Sequence, residues 1–408
     1  MISICSPVPR TIDASDFMDH VREMAKQPSQ PFSDELVKLL GTISSELLRN
    51  PVMRALPQYV ALGYWLRAAA VRALAEEGRS GFGPHEIAAA RGLALHLPPS
   101  NVDTIFVYSW ALSVLAGNAN IVRLPATFSP AARTAVEIIV DALNNAGEEN
   151  RHLFCSYPYG GDLERSLSSL CDLRIIWGGD AKVDAVSRVP IRPDGLSIGF
   201  SDRHSLALIA VPAYAQADDR IRDELATKLF NDAYWFDQMG CSSPRLLGWV
   251  GASSDLDALS KDLYRRLGGV IQSKSYAVEP AVAVSKLVLT NDLLAEGWAR
   301  HGVRYSNELQ VVDVAEPAVA LEKHGGGGFF SQSRFATLAD VAAIATRKLQ
   351  TITHFGFDED QLTSLARAIA GRGGYRIVPI GQALNFAPTW DGVPLLSHMT
   401  RRVSVHAK

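Results

Sequence analysis

Short apolar runs alternate with helical patterns in the first half of the chain. A strand is predicted at residues 92–97, and a loop at 98–101 separates it from an apolar helix over 104–116. A second strand at 121–124 precedes a helix over 131–145, where apolar residues recur at helical spacing. This alternation of strand and helix predicts a parallel sheet with helices on both faces.

The same pattern restarts in the second half. Further strands are predicted at 173–177, 205–211, 245–250, 349–357 and 375–380, and further helices at 219–232, 255–267 and 281–294. With 408 residues the chain exceeds what one hydrophobic core usually serves. We therefore predict an α/β protein with one domain over 1–206 and a second over 207–384. The tail, 385–408, is expected to return to the first domain or to an oligomer interface.

Composition excludes several classes of function. The chain has 47% hydrophobic and 20% charged residues and a formal net charge of −3, so neither nucleic acid nor an anionic membrane is an expected partner. No apolar run approaches the roughly 20 residues of a membrane-spanning helix, so no integral membrane segment is expected. Four cysteines without regular spacing and no signal-peptide pattern lead us to expect a cytoplasmic location.

One cysteine has the surroundings of a reactive thiol. Cys241 lies in the run YWFDQMGCSSP at 234–244, between a turn glycine and polar, helix-breaking residues. A thiolate is favoured where backbone N–H groups or positive charge surround it, and disfavoured in an apolar core. Cys155 and Cys171 have apolar neighbours, and we predict that they are buried small hydrophobic residues.

Two hydrolase-like signatures are rejected on chain order. GLSIG at 195–199 resembles a nucleophile elbow, and HGGG at 324–327 resembles an esterase oxyanion loop. In α/β-hydrolases the glycine loop comes before the nucleophile, and the serine lies between a strand and a helix. The glycines of 325–328 are open to a simpler interpretation as a hinge or surface loop. No metal is expected, because histidines and cysteines lack ligand spacing.

Several motifs together resemble the acyl-CoA reductase family, which includes the fatty-acid reductase of bacterial bioluminescence and is a branch of the aldehyde dehydrogenase superfamily. They are LPPSN at 97–101, AGNANIVRLP at 116–125, WGGD at 177–180, QMGCSSP at 238–244, VPIGQAL at 378–384 and WDG at 390–392. The resemblance implies an aldehyde dehydrogenase-like fold, with a Rossmann-like cofactor domain, an α/β catalytic domain and a site in the cleft between them.

The resemblance also assigns catalytic roles. Cys241 would be the nucleophile, and Asn101 would donate its side-chain N–H to the oxyanion beside the backbone N–H of Cys241. Aldehyde dehydrogenases that hydrolyse the acyl-enzyme place a glutamate before the strand that begins near Ser205, whereas residues 199–204 here read GFSDRH. His204 is a candidate proton donor, and Asp202 is an alternative acid or base.

The expected cofactor is NADPH. Arg123 occupies the place of a family lysine that contacts the adenosine ribose, and Ala126 and Thr127 stand where a carboxylate usually grips that ribose. A guanidinium without a competing carboxylate suits a 2′-phosphate. Gly178 and Gly179 match the turn that approaches the cofactor, although a plain tight turn explains them equally well. Because Thr127 stands at the place of the missing carboxylate, it is also a cofactor-binding candidate.

The implied reaction is the NADPH-dependent reduction of an acyl thioester, either acyl-CoA or an acyl carrier protein, to an aldehyde through an acyl-cysteine. Two alternatives stay open, a hydrolytic NAD(P)-dependent aldehyde dehydrogenase and a cofactor-independent cysteine thioesterase or acyltransferase. A homo-oligomer is expected, and an acyl-donating partner protein is a further candidate.

Overall fold

Two parallel-rich sheets organise the chain. The computed structural model describes residues 2–4, 10–99, 101–126, 129–158, 160–252 and 254–406, and within these ranges it forms two seven-stranded sheets and two strand pairs. The first compact unit contains residues 1–201 and 386–408, and the second contains residues 202–385. The predicted boundaries were residues 206 and 384.

In the first unit, five helices lie between the two N-terminal strands and the parallel strands of the sheet. Its elements up to residue 201 are β1 (Ile2–Ile4), β2 (Arg10–Ile12), α1 (Ala14–Met24), α2 (Asp34–Arg49), α3 (Pro51–Arg54), α4 (Pro57–Trp65), α5 (Ala68–Ser80), β3 (Glu86–Ala90), β4 (Leu93–Leu97), α6 (Ile105–Leu115), β5 (Ala119–Arg123), α7 (Pro130–Ala146), β6 (His152–Ser156), α8 (Asp162–Leu170), β7 (Leu173–Trp177), α9 (Asp180–Ser187) and β8 (Leu196–Phe200).

The first sheet has the order β2-β1-β6-β5-β4-β7-β8. Strands β4 to β8 run parallel, and β1 and β2 are antiparallel additions at one edge. Every residue of β4, β5 and β7 is buried, as expected for parallel strands covered on both faces. Helix α6 is apolar on all sides and is also entirely buried.

The second unit repeats this architecture. Its elements are β9 (His204–Ala210), α10 (Val211–Gln216), α11 (Asp219–Tyr234), β10 (Pro244–Val250), α12 (Leu256–Ser273), α13 (Pro280–Ala295), β11 (Ala299–Arg304), β12 (Gln310–Val314), α14 (Pro317–Glu322), β13 (Phe329–Phe335), α15 (Leu338–Ala343), β14 (Leu349–Phe355), α16 (Glu359–Ile369) and β15 (Arg376–Pro379). The sheet order is β11-β12-β13-β10-β9-β14-β15, and all neighbours except β11 and β12 are parallel.

The last residues belong to the first unit. They form β16 (Thr389–Trp390), β17 (Val393–Pro394), α17 (Leu395–Met399) and β18 (Thr400–Ser404), and β18 pairs antiparallel with β3. The buried Asn118 holds this segment, because its Nδ2 donates to the Met399 carbonyl at 2.9 Å. Its Oδ1 accepts from the N–H groups of Arg91 and Gly92 at 2.8 and 3.1 Å.

The α/β prediction is confirmed, and its main strands and helices fall within a few residues of their expected positions. The hydrolase-like elbow is absent in geometry as well, since Ser197 lies within β8 and the chain continues into β9 rather than into a helix. The sequence patterns did not predict α1 to α5. The apolar residues of α2 to α5 pack mainly on each other and on α6 and α7, whereas those of α1 pack with residues of β4, β5, β6 and α8.

We predict that Asn118→Ala destabilises the first unit by about 2–3 kcal/mol, because it leaves two N–H donors and one carbonyl without their partner. Urea unfolding followed by circular dichroism measures this change. Asn145→Ala, an exposed position on α7, is the matched control and should change the free energy of unfolding little. Equal stability of both variants would contradict the role of Asn118.

Candidate active site

Cys241 lies in the loop that joins α11 to β10, at the amino edge of the second sheet. Its side chain is half-buried, and its carbonyl accepts a hydrogen bond from Ser205 Oγ at 2.7 Å. Ser205, the second residue of β9, in turn accepts from the N–H of Thr351 on β14 at 3.1 Å. One hydroxyl therefore ties the nucleophile loop to two neighbouring strands.

The rest of the loop is fixed at several points. Ser242 Oγ donates to Gln350 Oε1 at 2.7 Å, and Gln238 Nε2 donates to the Pro244 carbonyl at 2.9 Å. Asp237 and Gln238 have positive φ angles of 51° and 60°. A left-handed backbone costs a non-glycine residue about 1 kcal/mol or more, so the surrounding contacts must hold these two residues in place.

Arg245 brings positive charge to the nucleophile. It follows Cys241 by four residues, and its guanidinium donates to the carbonyls of Leu321 and Arg203 at 3.2 and 3.4 Å. Burial lowers the pKa of Arg245, and the nearby negative charge of a Cys241 thiolate acts against that lowering. A neighbouring cation favours the thiolate form of a cysteine. The sequence motif ended at Pro244, and Arg245 was missed.

His204 is the first residue of β9 and shares the amino edge with Cys241. It is 2% exposed, and its Nδ1 lies 3.8 Å from Oε1 of Glu322. Burial lowers the pKa of His204 to about 4, so its ring is neutral near pH 7. Glu322, which also pairs with Lys348 at 3.1 Å, lies far from His204 in sequence and was not predicted.

The other two described cysteines have the predicted character. Cys155 and Cys171 are fully buried. Burial raises the pKa of Cys171 to about 12, which makes it a poor nucleophile. Cys5 lies outside the described residues.

Arg123 ends β5, at the carboxyl edge of the first sheet. Its Nε and Nη2 both donate to the Tyr157 carbonyl, at 3.1 and 2.8 Å, and the guanidinium lies 5.3 Å from the centre of the Tyr157 ring. The side chain is only 5% exposed. Thr127, the other candidate in this region, lies outside the described residues.

Gly178 and Gly179 follow β7 at the same edge, and each has a distinct environment. Gly178 has φ 156°, and a Cβ there would lie 2.7 Å from Cδ of Lys182. A Cβ on Gly179 would meet no atom within 4 Å, so space is open above this residue. The first glycine lets Lys182 approach, and the second is compatible with the approach of a ligand.

Lys182 connects these glycines to the loop that carries Asn101. Its Nζ donates to the carbonyls of Leu97 and Pro98 at 3.2 and 2.9 Å. Burial and the charge of Arg123 lower the pKa of Lys182 to about 8. Asn101 itself is exposed, and Thr104 rather than Asn101 is the N-cap of α6.

A cavity of about 350 Å³ opens beside Lys182. Its lining is mainly apolar and consists of Gly160, Glu164, Lys182, Ala185, Val186 and Val189. It lies between α8 and α9 at the carboxyl edge, where ligands bind in open α/β sheets. Lys182 contributes a cation to this mainly apolar lining. Glu164 contributes one carboxylate, which accepts from the Gly160 N–H at 2.9 Å.

The predicted residues thus form two groups. Asn101, Arg123, Gly178 and Gly179 share the carboxyl edge of the first sheet, and Cys241 and His204 share the amino edge of the second. Across the described ranges, no helix is long and apolar enough to cross a membrane. Within the same ranges, no three side chains of His, Cys, Asp or Glu come together as a set that could hold a metal ion.

A family model described as acyl-CoA reductase (LuxC) matches residues 42–271, from α2 into α12. A search of curated protein sequences finds no match.

Solved aldehyde dehydrogenases share the fold. An NAD-dependent aldehyde dehydrogenase from Sinorhizobium meliloti is 14% identical with a TM-score of 0.71, over 100% of this chain and 91% of that protein. A 3,6-anhydro-L-galactose dehydrogenase in complex with NAP is 13% identical with a TM-score of 0.65, over 99% and 95%. Bifunctional proline utilization A (PutA) is 14% identical with a TM-score of 0.68. The match covers 97% of this chain but only 45% of that longer protein. The predicted aldehyde dehydrogenase-like fold is therefore confirmed.

We predict that His204 makes the protein less stable in acid. Its folded-state pKa lies below the ordinary value of about 6.5. As the pH is lowered from 6.5 to 4, His204 therefore takes up a proton in the unfolded chain before it does so in the folded protein. The free energy of unfolding falls over this range, by up to about 3 kcal/mol for this one group. Below pH 4 both states are protonated and its contribution no longer changes.

Urea unfolding of His204→Gln across this pH range checks the expectation, since the variant should lose less stability between pH 6.5 and 4. The exposed His301→Gln is the control and should keep the wild-type dependence. An unchanged dependence in His204→Gln would contradict a neutral, buried imidazole.

Proposed function

This chain belongs to the acyl-CoA reductase (LuxC) family, and we propose that it reduces an acyl thioester to an aldehyde with NADPH, through an acyl-enzyme on Cys241. The observation that carries the proposal is the Cys241 loop. It is held by Ser205 and has the Arg245 guanidinium as an electrostatic partner. Acyl-CoA and acyl carrier protein are the two substrate classes with the required thioester.

The first step is acylation. The Cys241 thiolate attacks the thioester carbonyl, a tetrahedral oxyanion forms, and the thiol of the carrier leaves. The backbone N–H of Cys241 is one proposed oxyanion donor, and Asn101 is the second by its place in the family motif. Each such donor is worth roughly 3 kcal/mol in the transition state. The same two donors serve the thiohemiacetal that later collapses to aldehyde.

The proposed outcome of the acyl-enzyme is reduction rather than hydrolysis. Residues 199–204 contain no glutamate to activate water, and the neutral ring of His204 is held in a buried position. NADPH, when bound, would supply the hydride that brings the acyl group to the aldehyde level. The protein has to orient the acyl group and keep water from Cys241 during this step.

Arg123 and Lys182 support NADPH as the cofactor. Both cations lie at the carboxyl edge of the first sheet, Lys182 lines the cavity between α8 and α9, and the charge of Arg123 acts on Lys182. Two positive groups outweigh the one carboxylate of Glu164, so the local charge suits a 2′-phosphate. A cytoplasmic location, a homo-oligomer and an acyl-donating partner protein stay predictions from the sequence.

We predict that Cys241→Ala abolishes both acylation and reduction, because the acyl group then has no nucleophile to accept it. Intact-mass analysis after incubation with acyl-CoA measures acylation, and NADPH oxidation with trapping of the aldehyde measures reduction. Cys171→Ala, which removes a buried thiol, should retain both. Unchanged NADPH oxidation by Cys241→Ala would refute the assignment. With the wild-type protein, CoA release without NADPH consumption would indicate a thioesterase.

We predict that Arg123→Met raises the Kd of NADPH roughly 10-fold or more and changes that of NADH much less, since a hydrogen bond to a charged phosphate is lost. Fluorescence titration of both cofactors measures the two constants without catalysis. Arg188→Met is the control, because this exposed arginine directly after α9 forms a surface ion pair with Asp184. Equal weakening of both cofactors would contradict a role in 2′-phosphate recognition.

A hydrolytic aldehyde dehydrogenase is the second candidate, and one contact favours it. The carboxylate of Glu322 lies 3.8 Å from His204, so the pair could accept a proton from water at the edge that carries Cys241. Incubation with aldehyde and NADP distinguishes the two functions. Free acid formed without added thiol, and lost in Glu322→Gln, would favour hydrolysis over thioester reduction.

A further inference from the structure

The glycine loop of residues 325–328 has a place in the fold that its sequence did not reveal. It leads from α14 into β13, and β13 pairs in parallel with β10. The loops that enter two adjacent parallel strands lie at the same edge of the sheet. The glycine loop is therefore a neighbour of the Cys241 loop, which enters β10.

Three hydrogen bonds join the two loops. The N–H of Gly327 donates to the Asp237 carbonyl at 2.7 Å, and the N–H of Gly328 donates to Oε1 of Gln238 at 3.0 Å. Nε2 of His324 lies 3.0 Å from the Gln238 carbonyl. All three bonds end on Asp237 and Gln238, the two residues with a left-handed backbone that precede Cys241. The glycine loop thus holds the strained part of the nucleophile loop.

Only glycine allows this approach. Gly326, Gly327 and Gly328 have φ angles of 64°, 52° and 79°. A Cβ on Gly326 would lie 2.7 Å from Sδ of Met239 and 3.0 Å from the Asp237 carbonyl oxygen. Space is therefore as restrictive as backbone conformation, and the glycines serve close contact rather than mobility.

Lys286 of α13 holds the other side of the glycine loop. It is 1% exposed, and its Nζ donates to the Asn307 carbonyl at 2.6 Å and to the Gly327 carbonyl. Lysine is almost never fully buried unless it is paired. Burial lowers the pKa of Lys286 to about 8. Its two carbonyl partners compensate for the loss of water and fix the peptide that follows Gly327.

We propose that Lys286 and the glycine loop form a brace that sets the backbone of the Cys241 loop, which makes Lys286 a positioning residue for the nucleophile. The connection runs from Lys286 to the Gly327 carbonyl, through the Gly327 and Gly328 N–H groups to Asp237 and Gln238, and along the chain to Cys241. The catalytic importance of this brace rests on the proposed role of Cys241, but the brace itself does not.

The experiment measures Cys241 directly, by the rate of its alkylation with iodoacetamide, followed by mass spectrometry of the peptide that contains it. Lys286→Met removes both hydrogen bonds and keeps most of the length of the unbranched side chain. We expect alkylation and single-turnover reduction to slow together, roughly 10-fold to 100-fold, with the Kd of NADPH unchanged. Lys286→Arg, which can still donate to two carbonyls, should recover part of the loss.

Gly326→Ala tests the contact between the glycine loop and the Cys241 loop. It provides an independent test if Lys286→Met fails to fold. It pushes a methyl group against Met239 and Asp237, so Cys241 alkylation should slow. Gly297→Ala is the matched control, because Gly297 has a similar φ of 73° and no atom within 4 Å of its Cβ position. It should alter stability without altering alkylation.

The outcomes separate the brace from the proposed function. Wild-type alkylation rates in both Lys286→Met and Gly326→Ala, with only a loss of stability, would overturn the brace. Slower alkylation would support it even if Cys241→Ala kept full reductase activity, because alkylation requires no turnover.

Discussion

The parallel alignment of β9, β10, β13 and β14 is the constraint on which the candidate site depends. Parallel strands bring all their incoming loops to one edge, so residues far apart in sequence meet there. Ser205 near the start of β9 can therefore bond the Cys241 carbonyl before β10 and the Thr351 N–H on β14. Both pairings shift register next to Ser205, between Pro244 and Leu246 on β10 and between Leu349 and Ile352 on β14. Its two hydrogen bonds therefore lie where the regular ladder of the sheet is interrupted.

Burial of polar groups explains why this edge holds a single arrangement. Lys286, Gln238 and Ser205 are all buried, and each would be costly there without partners. Each makes at least two hydrogen bonds to the backbone or to a neighbouring side chain. Such groups resist local rearrangement, because any movement exposes several unsatisfied donors and acceptors at once. These hydrogen bonds offset the cost of the left-handed backbone at Asp237 and Gln238.

The sequence predicted the elements of the fold far better than the contacts of the site. Buried parallel strands are continuous apolar runs, so β4, β7 and β9 were recognisable without tertiary information. The Cys241 loop was recognisable because glycine, serine and proline mark a turn. Arg245, Lys182 and Glu322 were missed, since their importance comes from carbonyls and charges that only the folded sheet brings near. Their side chains are ordinary surface types in any local window of sequence.

The glycine-rich run shows that a short sequence motif does not by itself determine the chemical role of its residues. HGGG at 324–327 resembles an esterase oxyanion loop, in which backbone N–H groups point to a substrate oxygen. In this protein the N–H of Gly327 points to the Asp237 carbonyl, and that of Gly328 to the Gln238 side chain. A donor already bonded to the protein cannot stabilise an oxyanion without breaking that bond. The position of the run before β13, next to the loop before β10, therefore decides its role, and the order of elements in the sheet is the information that the motif alone lacks.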